Sequence, residues 1–510
     1  MAKELNHNHD GLVDFAEQLR ADARGTADSA RRTELGQFFT PAPTARLMAS
    51  MFEVRLPRIR LLDAGAGVGN LTAALVAALC EREQRPEAVF VTAYEVDPRL
   101  TEHLRSTLEA CQSVCEACGV LFSWQVLEED FIEAAVGMLR GSMFGPRLQA
   151  FDCAILNPPY RKISSDSRVR HLLRTVGIET SNLYTAFLSL VVGLLDDGGE
   201  LVTITPRSFC NGLYFKPFRK LFLRNMVIRR VRIFDARDIA FGEDDVLQEN
   251  VILHSVKHAD RSSLVLVSSS SGPEGATLTS REVPYSELVR PGDPNAFIHI
   301  VPDNDGQLVA QRVRSLAATL GDLNISVSTG RVVEFRARSH LRVAPSEGTV
   351  PLIYPSNFAG GFVEWPKPRR NKPTAIEVVP RNEDQVVPSE YFVLVKRFSS
   401  KEERRRVVAA VYDPTRVPVT RVGFENHLNY YHVGGRGLPP RLAMGLAAFL
   451  NSTIVDTYFR QFNGHTQVNA TDLRSLRYPA LPALEALGEQ IGETFPSQDE
   501  LDRLVEEQLP

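Results

Sequence analysis

Leu61-Leu62-Asp63-Ala64-Gly65-Ala66-Gly67-Val68-Gly69-Asn70 decides how this chain folds. Its apolar start reads as a buried strand, its spaced glycines as a turn, and Leu71 to Leu79 as the helix that follows. Glycine tolerates positive φ and lets a ligand approach the backbone closely. Val89-Phe90-Val91-Thr92-Ala93-Tyr94-Glu95 then reads as a second strand ending in an acid. An acid at that tip is placed to accept hydrogen bonds from ribose hydroxyls. A weaker strand, Phe122 to Leu127, leads into Glu129-Asp130-Phe131, where a carboxylate beside an aromatic ring could hold an adenine amino group and its ring.

Further on, Ala154-Ile155-Leu156 is another apolar strand, and Asn157-Pro158-Pro159-Tyr160 follows it. The corner therefore falls at the end of a parallel strand, the ligand-binding edge of an open α/β sheet. Pro158 and Pro159 remove two backbone donors and fix φ, so the carbonyls there are held stiffly. Asn157 adds a side-chain acceptor and Tyr160 a flat aromatic face. Such a corner can grip an exocyclic amino group and stack on the ring that carries it. The plain alternative is a proline turn closing a strand.

A glycine turn with a downstream acid is shared by dinucleotide dehydrogenases and methyltransferases. Joined to Asn157-Pro158-Pro159-Tyr160, it resembles the S-adenosylmethionine-dependent amino-methyltransferases. The motif order resembles the gamma class of DNA adenine-N6 methyltransferases, and within it the PstI and BsuBI type. Leu35-Gly36-Gln37-Phe38-Phe39-Thr40-Pro41 matches that family's opening motif. The likeness continues through Ser328-Thr329-Gly330-Arg331-Val332-Val333-Glu334-Phe335-Arg336, Tyr354-Pro355-Ser356-Asn357-Phe358 and Leu394-Val395-Lys396-Arg397-Phe398. It implies S-adenosylmethionine as cofactor, held by Thr40, Asp63, Gly65, Gly67, Glu95, Asp130 and Phe131. It also implies catalysis by Asn157, Pro158, Pro159 and Tyr160, with Phe215 as a second aromatic wall around a flipped-out base. Asn157 favours adenine over cytosine by the same resemblance. Double-stranded DNA is the implied partner, with a CTGCAG-like site. A cognate restriction endonuclease would share that site and need not bind the enzyme.

Composition fits a soluble enzyme of two or three domains: 510 residues, 44% hydrophobic, 24% charged. No apolar run is long enough to span a bilayer and the start lacks a signal-peptide core, so no membrane and a cytoplasmic location are expected. Net charge is −4, yet residues 331–440 carry 18 Lys and Arg against 11 Asp and Glu. Local clustering is what matters for phosphate contact. Arginine bidentate to guanine is the commonest direct base contact, so Arg331, Arg336, Arg338, Arg369 and Arg370 are candidate base readers. Cys111, Cys115 and Cys118 have the spacing of iron–sulfur ligands, but Leu100 to Cys118 reads as a helix that puts them on one face with Leu104 and Leu108. They read as core, and no metal is expected.

The fold class that follows is α/β: a Rossmann-like S-adenosylmethionine methyltransferase domain with a mostly parallel sheet, and a C-terminal mixed, β-rich target-recognition domain. The expected layout is an N-terminal helical extension (1–33), the methyltransferase domain (34–260), a connecting segment (261–302), the recognition domain (303–480) and a helical tail (481–510). The function expected is that of a type II modification enzyme. RNA adenine or protein glutamine N-methylation, or an inactive DNA-binding module, are the competing readings. The long basic C-terminal domain (303–480) argues against a protein substrate, and the intact Gly65–Gly67 turn, Glu95 and Asn157 argue against inactivity.

Overall fold

Residues 58–64, 88–94 and 151–156 are apolar on both alternating faces, and only a strand covered on both sides can bury such a run. In a computed structural model of the protein, which describes residues 9–26, 39–141, 150–234, 249–260, 264–270, 278–301, 304–367, 372–399, 403–462 and 467–509, they form three central parallel strands. These are β1 (Arg58–Ala64), β2 (Ala88–Tyr94) and β4 (Phe151–Leu156). With β3 (Leu121–Leu127), β5 (Leu195–Pro206), β6 (Met226–Phe234), β7 (Asn250–Lys257), β8 (Leu264–Ser270) and β9 (Leu278–Pro284) they build one sheet in the order β3-β2-β1-β4-β5-β7-β6-β8-β9. Strands β1 to β5 are mutually parallel, and β7 runs antiparallel to β5 and β6.

Alternation sorts the core into two layers. Ile59, Leu61, Cys153, Ile155, Val202 and Ile204 face helices Ala42–Ala49, Asn70–Glu81 and Pro98–Ala117. Leu62, Ala64, Ala154, Leu156 and Leu201 face helices Phe131–Arg140, Leu183–Leu194 and Lys216–Asn225. Cys111 and Cys115 belong to the first layer, with the Cys115 Sγ 3.8 Å from that of Cys80. Among the described residues no group of His, Cys, Asp or Glu is arranged to hold a metal ion.

The chain divides into two units, Met1–Pro302 and Asp303–Pro510. The helix His9–Thr26 packs Leu12, Val13 and Ala16 into the first layer of the first unit. The segment expected to connect two domains supplies β8 and β9, so the sheet continues through it. Asp196-Asp197-Gly198-Gly199 is a bulge within β5: Phe151 pairs with Leu195, but Cys153 pairs with Glu200.

The second unit holds two sheets. Ser326–Thr329, Leu428–His432, Phe392–Lys396 and Ala409–Tyr412 lie side by side in one, with Ser326–Thr329 at its edge, and Thr349–Ile353 with Arg421–Phe424 pair in parallel within the other. Phe392, Tyr412, Phe424 and Tyr430 interlock as the core, with ring centroids 5.3–6.5 Å apart. Gly330 is required there, because a Cβ would lie 2.2 Å from the Glu425 carbonyl oxygen. Pro440–Leu450 and Thr453–Phe462 are two successive helices. Ser452 turns its hydroxyl back onto the Phe449 carbonyl, and Asp502 captures the Thr453 amide and hydroxyl, which ends one helix and starts the next. The short helix Ala470–Ser475 comes next, and helices Leu481–Glu489 and Gln498–Glu506 follow. Among the described residues no single helix is long and apolar enough to cross a membrane.

Candidate active site

The strand order reverses between β1 and β4, because the chain steps outwards through β2 and β3 before returning to the other side of β1. Such a switch point opens a crevice at the carboxyl ends of the strands. Ala64 pairs with Tyr94, and Leu62 with Ala154, so the ends of β1, β2 and β4 are level. Beyond them lies a cleft lined by Phe39, Gly65, Gly67, Glu95, Asp130, Phe131, Asn157, Pro159, Arg161, Leu183 and Phe187, among others.

The glycine turn after β1 is held by backbone bonds: the amides of Gly65 and Ala66 both donate to the Tyr94 carbonyl at 2.9 Å. Gly65 and Gly67 have φ of 78° and 59°, where an L side chain is strained. Glu95 is 4% exposed and accepts the Gly67 amide on one oxygen and the Asp97 amide on the other, each at 2.8 Å. Its burial raises the carboxyl above the ordinary value, and those two amides oppose the rise.

Asp63 lies fully buried under the turn rather than on the cleft wall. The Thr72 hydroxyl donates to its Oδ2 at 2.6 Å, and its Oδ1 has no partner among the described residues. Burial pushes this carboxyl up to about 7; the Thr72 hydroxyl opposes the shift and the nearby Glu95 adds to it. The folded value exceeds the unfolded one of about 3.9, so the folded state holds this proton more tightly. The stabilisation is complete below the unfolded value and is lost as pH rises through about 7. Asp63→Asn is therefore expected to gain stability relative to the parent between pH 5 and pH 8, by an amount on the order of a few kcal/mol. Urea unfolding of both proteins across that range measures it, and a pH-independent difference would contradict this assignment.

Phe131 is 3% exposed and meets the rings of Tyr94 and Phe187 at 5.2 and 5.0 Å. Asp130 is exposed on the rim and caps its helix through Oδ1, which accepts the amides of Ile132 and Glu133. Asn157 lines the cleft from the other side, and its side-chain amide donates to the Thr40 hydroxyl at 3.1 Å. Thr40 is itself buried and lies behind the wall, so it meets Asn157 before it meets the cleft.

Pro158 is buried beneath the corner, whereas Pro159 lines the cleft. Tyr160 donates its hydroxyl to the Ile204 carbonyl at 3.2 Å and packs edge-on against Tyr184 at 6.1 Å. Phe215, the expected second wall, also packs on Tyr184, at 5.6 Å. Neither Tyr160 nor Phe215 lines the cleft; they share the buried Tyr184 ring, while Tyr214 is 81% exposed. Arg170 is engaged by Glu179 and Arg168 by Glu133.

Phe187 and Leu183 were not singled out in the sequence. They lie four residues apart at the start of helix Leu183–Leu194, so one face of its first turns meets the cleft. The signal was present in the Asn182 cap, whose Oδ1 accepts the Tyr184 amide and fixes where that helix begins.

In the second unit, Arg331, Arg336 and Arg338 are exposed. Arg331 donates to the Asp384 carbonyl, and Arg336 lies 5.4 Å over the ring of Phe335, which is 75% exposed. Arg369 and Arg370 lie outside the described residues.

Residues 90–240 match the family described as Eco57I restriction-modification methylase. Over 97% of this chain and 97% of the relative, the sequence is 41% identical to the type II methyltransferase M.PstI of Providencia stuartii. The chain belongs to the type II restriction-modification methyltransferases. M.BsuBI of Bacillus subtilis, another type II methyltransferase, is 44% identical over 94% of each chain. Among solved structures, that of the type IIL restriction-modification enzyme MmeI in complex with DNA covers 97% of this chain and 73% of its own, with a TM-score of 0.50. At 11% identity that likeness concerns the fold alone. The PstI and BsuBI resemblance carried by Asn157-Pro158-Pro159-Tyr160 thus holds over nearly the whole of this type II methyltransferase.

Proposed function

We propose that this methyltransferase moves a methyl group from S-adenosylmethionine to the N6 atom of an adenine flipped out of duplex DNA. One observation carries the reading: Asn157 and Pro159 line the same cleft as Gly65, Gly67, Glu95 and Phe131. An amine-gripping corner and a nucleoside-binding wall therefore face one space.

The residues fit the cofactor. Gly65 and Gly67 present bare backbone to the cleft. Glu95 is oriented by two backbone amides, and each of its oxygens keeps a second lone pair for a ribose hydroxyl. Phe131, Phe39 and Phe187 offer apolar surface for the adenine ring, with Asp130 at the rim for its amino group. Asp63 Oδ1, buried below the turn, is an acceptor suited to an ammonium group, directly or through water. When bound, the cofactor supplies a methyl group on a positively charged sulfur.

The chain's task is to orient the acceptor. The adenine amine is a poor nucleophile because its lone pair is delocalised into the ring. With its hydrogens accepted by the Asn157 side-chain oxygen and the Pro158 carbonyl, the nitrogen moves towards tetrahedral geometry and its lone pair turns to the methyl donor. Both acceptors are fixed dipoles, so they stabilise the positive charge that grows on nitrogen without reorganising. A base inside a duplex cannot reach this corner, and extrusion costs a few kcal/mol. Tyr160 and Phe215, both seated on Tyr184, are proposed to flank the extruded base.

Sequence reading is assigned to the second unit, with exposed Arg331, Arg336 and Arg338 as contacts to base edges or phosphates. Arg369 and Arg370 remain candidates by sequence. The test is tritiated methyl transfer from S-adenosylmethionine to unmethylated plasmid DNA, RNA and protein, followed by digestion and identification of the labelled product. N6-methyladenine from DNA is expected. Label on cytosine, RNA or protein would overturn the reading.

A further inference from the structure

The helix His9–Thr26 lies before every motif used so far, yet one of its side chains reaches the turn behind the site. Glu17 Oε2 accepts the backbone amide of Ala42 at 3.0 Å and the side-chain amide of Asn70 at 3.1 Å. Its other oxygen accepts from Arg20, at 3.0 Å from Nε and 2.6 Å from Nη2. The bond to Ala42 has a clear cause. Ala42 opens the helix Ala42–Ala49, and the residue before it, Pro41, has no side chain able to cap. The first amides of a helix lack intrahelical partners and carry the positive end of its dipole. A carboxylate delivered from another helix meets both needs.

The contacts continue inwards. The same Asn70 nitrogen donates to the Thr40 carbonyl at 3.0 Å, and Asn70 is 4% exposed. The Thr40 hydroxyl then accepts the Asn157 side-chain amide at 3.1 Å. Glu17 thus grips the Thr40–Ala42 turn twice, once through Ala42 and once through Asn70. The Thr40 hydroxyl is in turn one support of the Asn157 side chain at the cleft.

We propose that Glu17 is a positioning residue for methyl transfer: it locks the Thr40–Ala42 turn so that Thr40 holds the Asn157 side chain in place at the cleft. The proposal rests on the catalytic reading of Asn157 above. The N-terminal helix is then part of the working enzyme as well as of its core.

The full-length protein tests it with tritiated methyl transfer to unmethylated plasmid DNA, cofactor binding by calorimetry, and thermal melting. Glu17→Ala removes the acceptor, Glu17→Asp shortens its reach, and Glu17→Gln keeps an acceptor oxygen without the charge. Glu17→Ala and Glu17→Asp are expected to lower kcat by about tenfold to a hundredfold, the scale of a misplacement near 1 Å, with smaller changes in the cofactor KM. Glu17→Gln is expected to restore most of kcat. Folded Glu17→Ala or Glu17→Asp with the parent's kcat would overturn the proposal, as would losses that follow melting temperature alone without rescue by glutamine. If Glu17→Ala does not fold, the aspartate and glutamine variants decide. Asn157→Ala, assayed alongside, separates the two levels. If it turns over, the reading of Asn157 fails and this inference with it; if it is inactive while folded Glu17→Ala is not, only the inference fails.

Discussion

Asn157→Ala is expected to lose methyl transfer by at least about a hundredfold to a thousandfold, the scale seen when one fixed dipole is removed from a developing charge. The loss should fall on kcat, with the cofactor dissociation constant unchanged. Asn157 shares the cleft with the residues proposed to bind the nucleoside, and one of its polar contacts to protein is to Thr40 at the far side of the turn. Nothing in that arrangement makes it a ground-state anchor for the cofactor. A drop in kcat without a change in binding is the signature of an interaction made only in the transition state. Single-turnover transfer and calorimetry on the same preparation measure both quantities. Turnover within a few-fold of the parent would show that the side-chain amide does not perform the role assigned to it.

Gly67→Leu is expected to abolish cofactor binding while leaving the protein folded. Gly67 has φ of 59°, and its amide anchors Glu95 at 2.8 Å. An L residue there bears a backbone cost of about 1–2 kcal/mol. A Cβ would meet the Phe39 ring at 3.6 Å, ordinary contact, so the first carbon fits. The remaining carbons of leucine must enter the cleft that Gly67 lines. Affinity should fall more than about a hundredfold, since the leucine side chain takes the space the cofactor needs, and every 1.4 kcal/mol is tenfold. Calorimetry with S-adenosylmethionine, alongside circular dichroism to verify folding, measures it. Retained affinity in a folded variant would place the cofactor elsewhere.

Much of the sheet was readable because its central strands are apolar on both faces. Ile59, Leu61 and Leu62 in β1, and Ala154, Ile155 and Leu156 in β4, admit few other readings. The glycine turn, Glu95 and Asn157 were readable because each stands at a strand end, where local pattern and ligand chemistry coincide. What escaped was long-range. Thr40 and Asn157 lie 117 residues apart, and no local periodicity couples them. Glu17 and Asn70 are joined only by the packing of two helices. Phe187 read as one more apolar residue in a helix that is buried almost all round. The bulge at Asp196–Gly199 is made of turn formers, and strand pairing with β4 overrides that local preference. The stretch with β8 and β9 reads as strands and loops between two domains; that its strands extend the first sheet is set by their pairing with β6, which no local pattern shows.

A structure of the full-length protein with duplex DNA bearing its target and a non-transferable cofactor analogue tests the central claim most directly. An adenine N6 about 3 Å from both the Asn157 side-chain oxygen and the Pro158 carbonyl, its lone pair aimed at the sulfur position, is the predicted result. A cofactor bound away from Gly65, Gly67 and Glu95, or a target base that never meets residues 157–160, would contradict it.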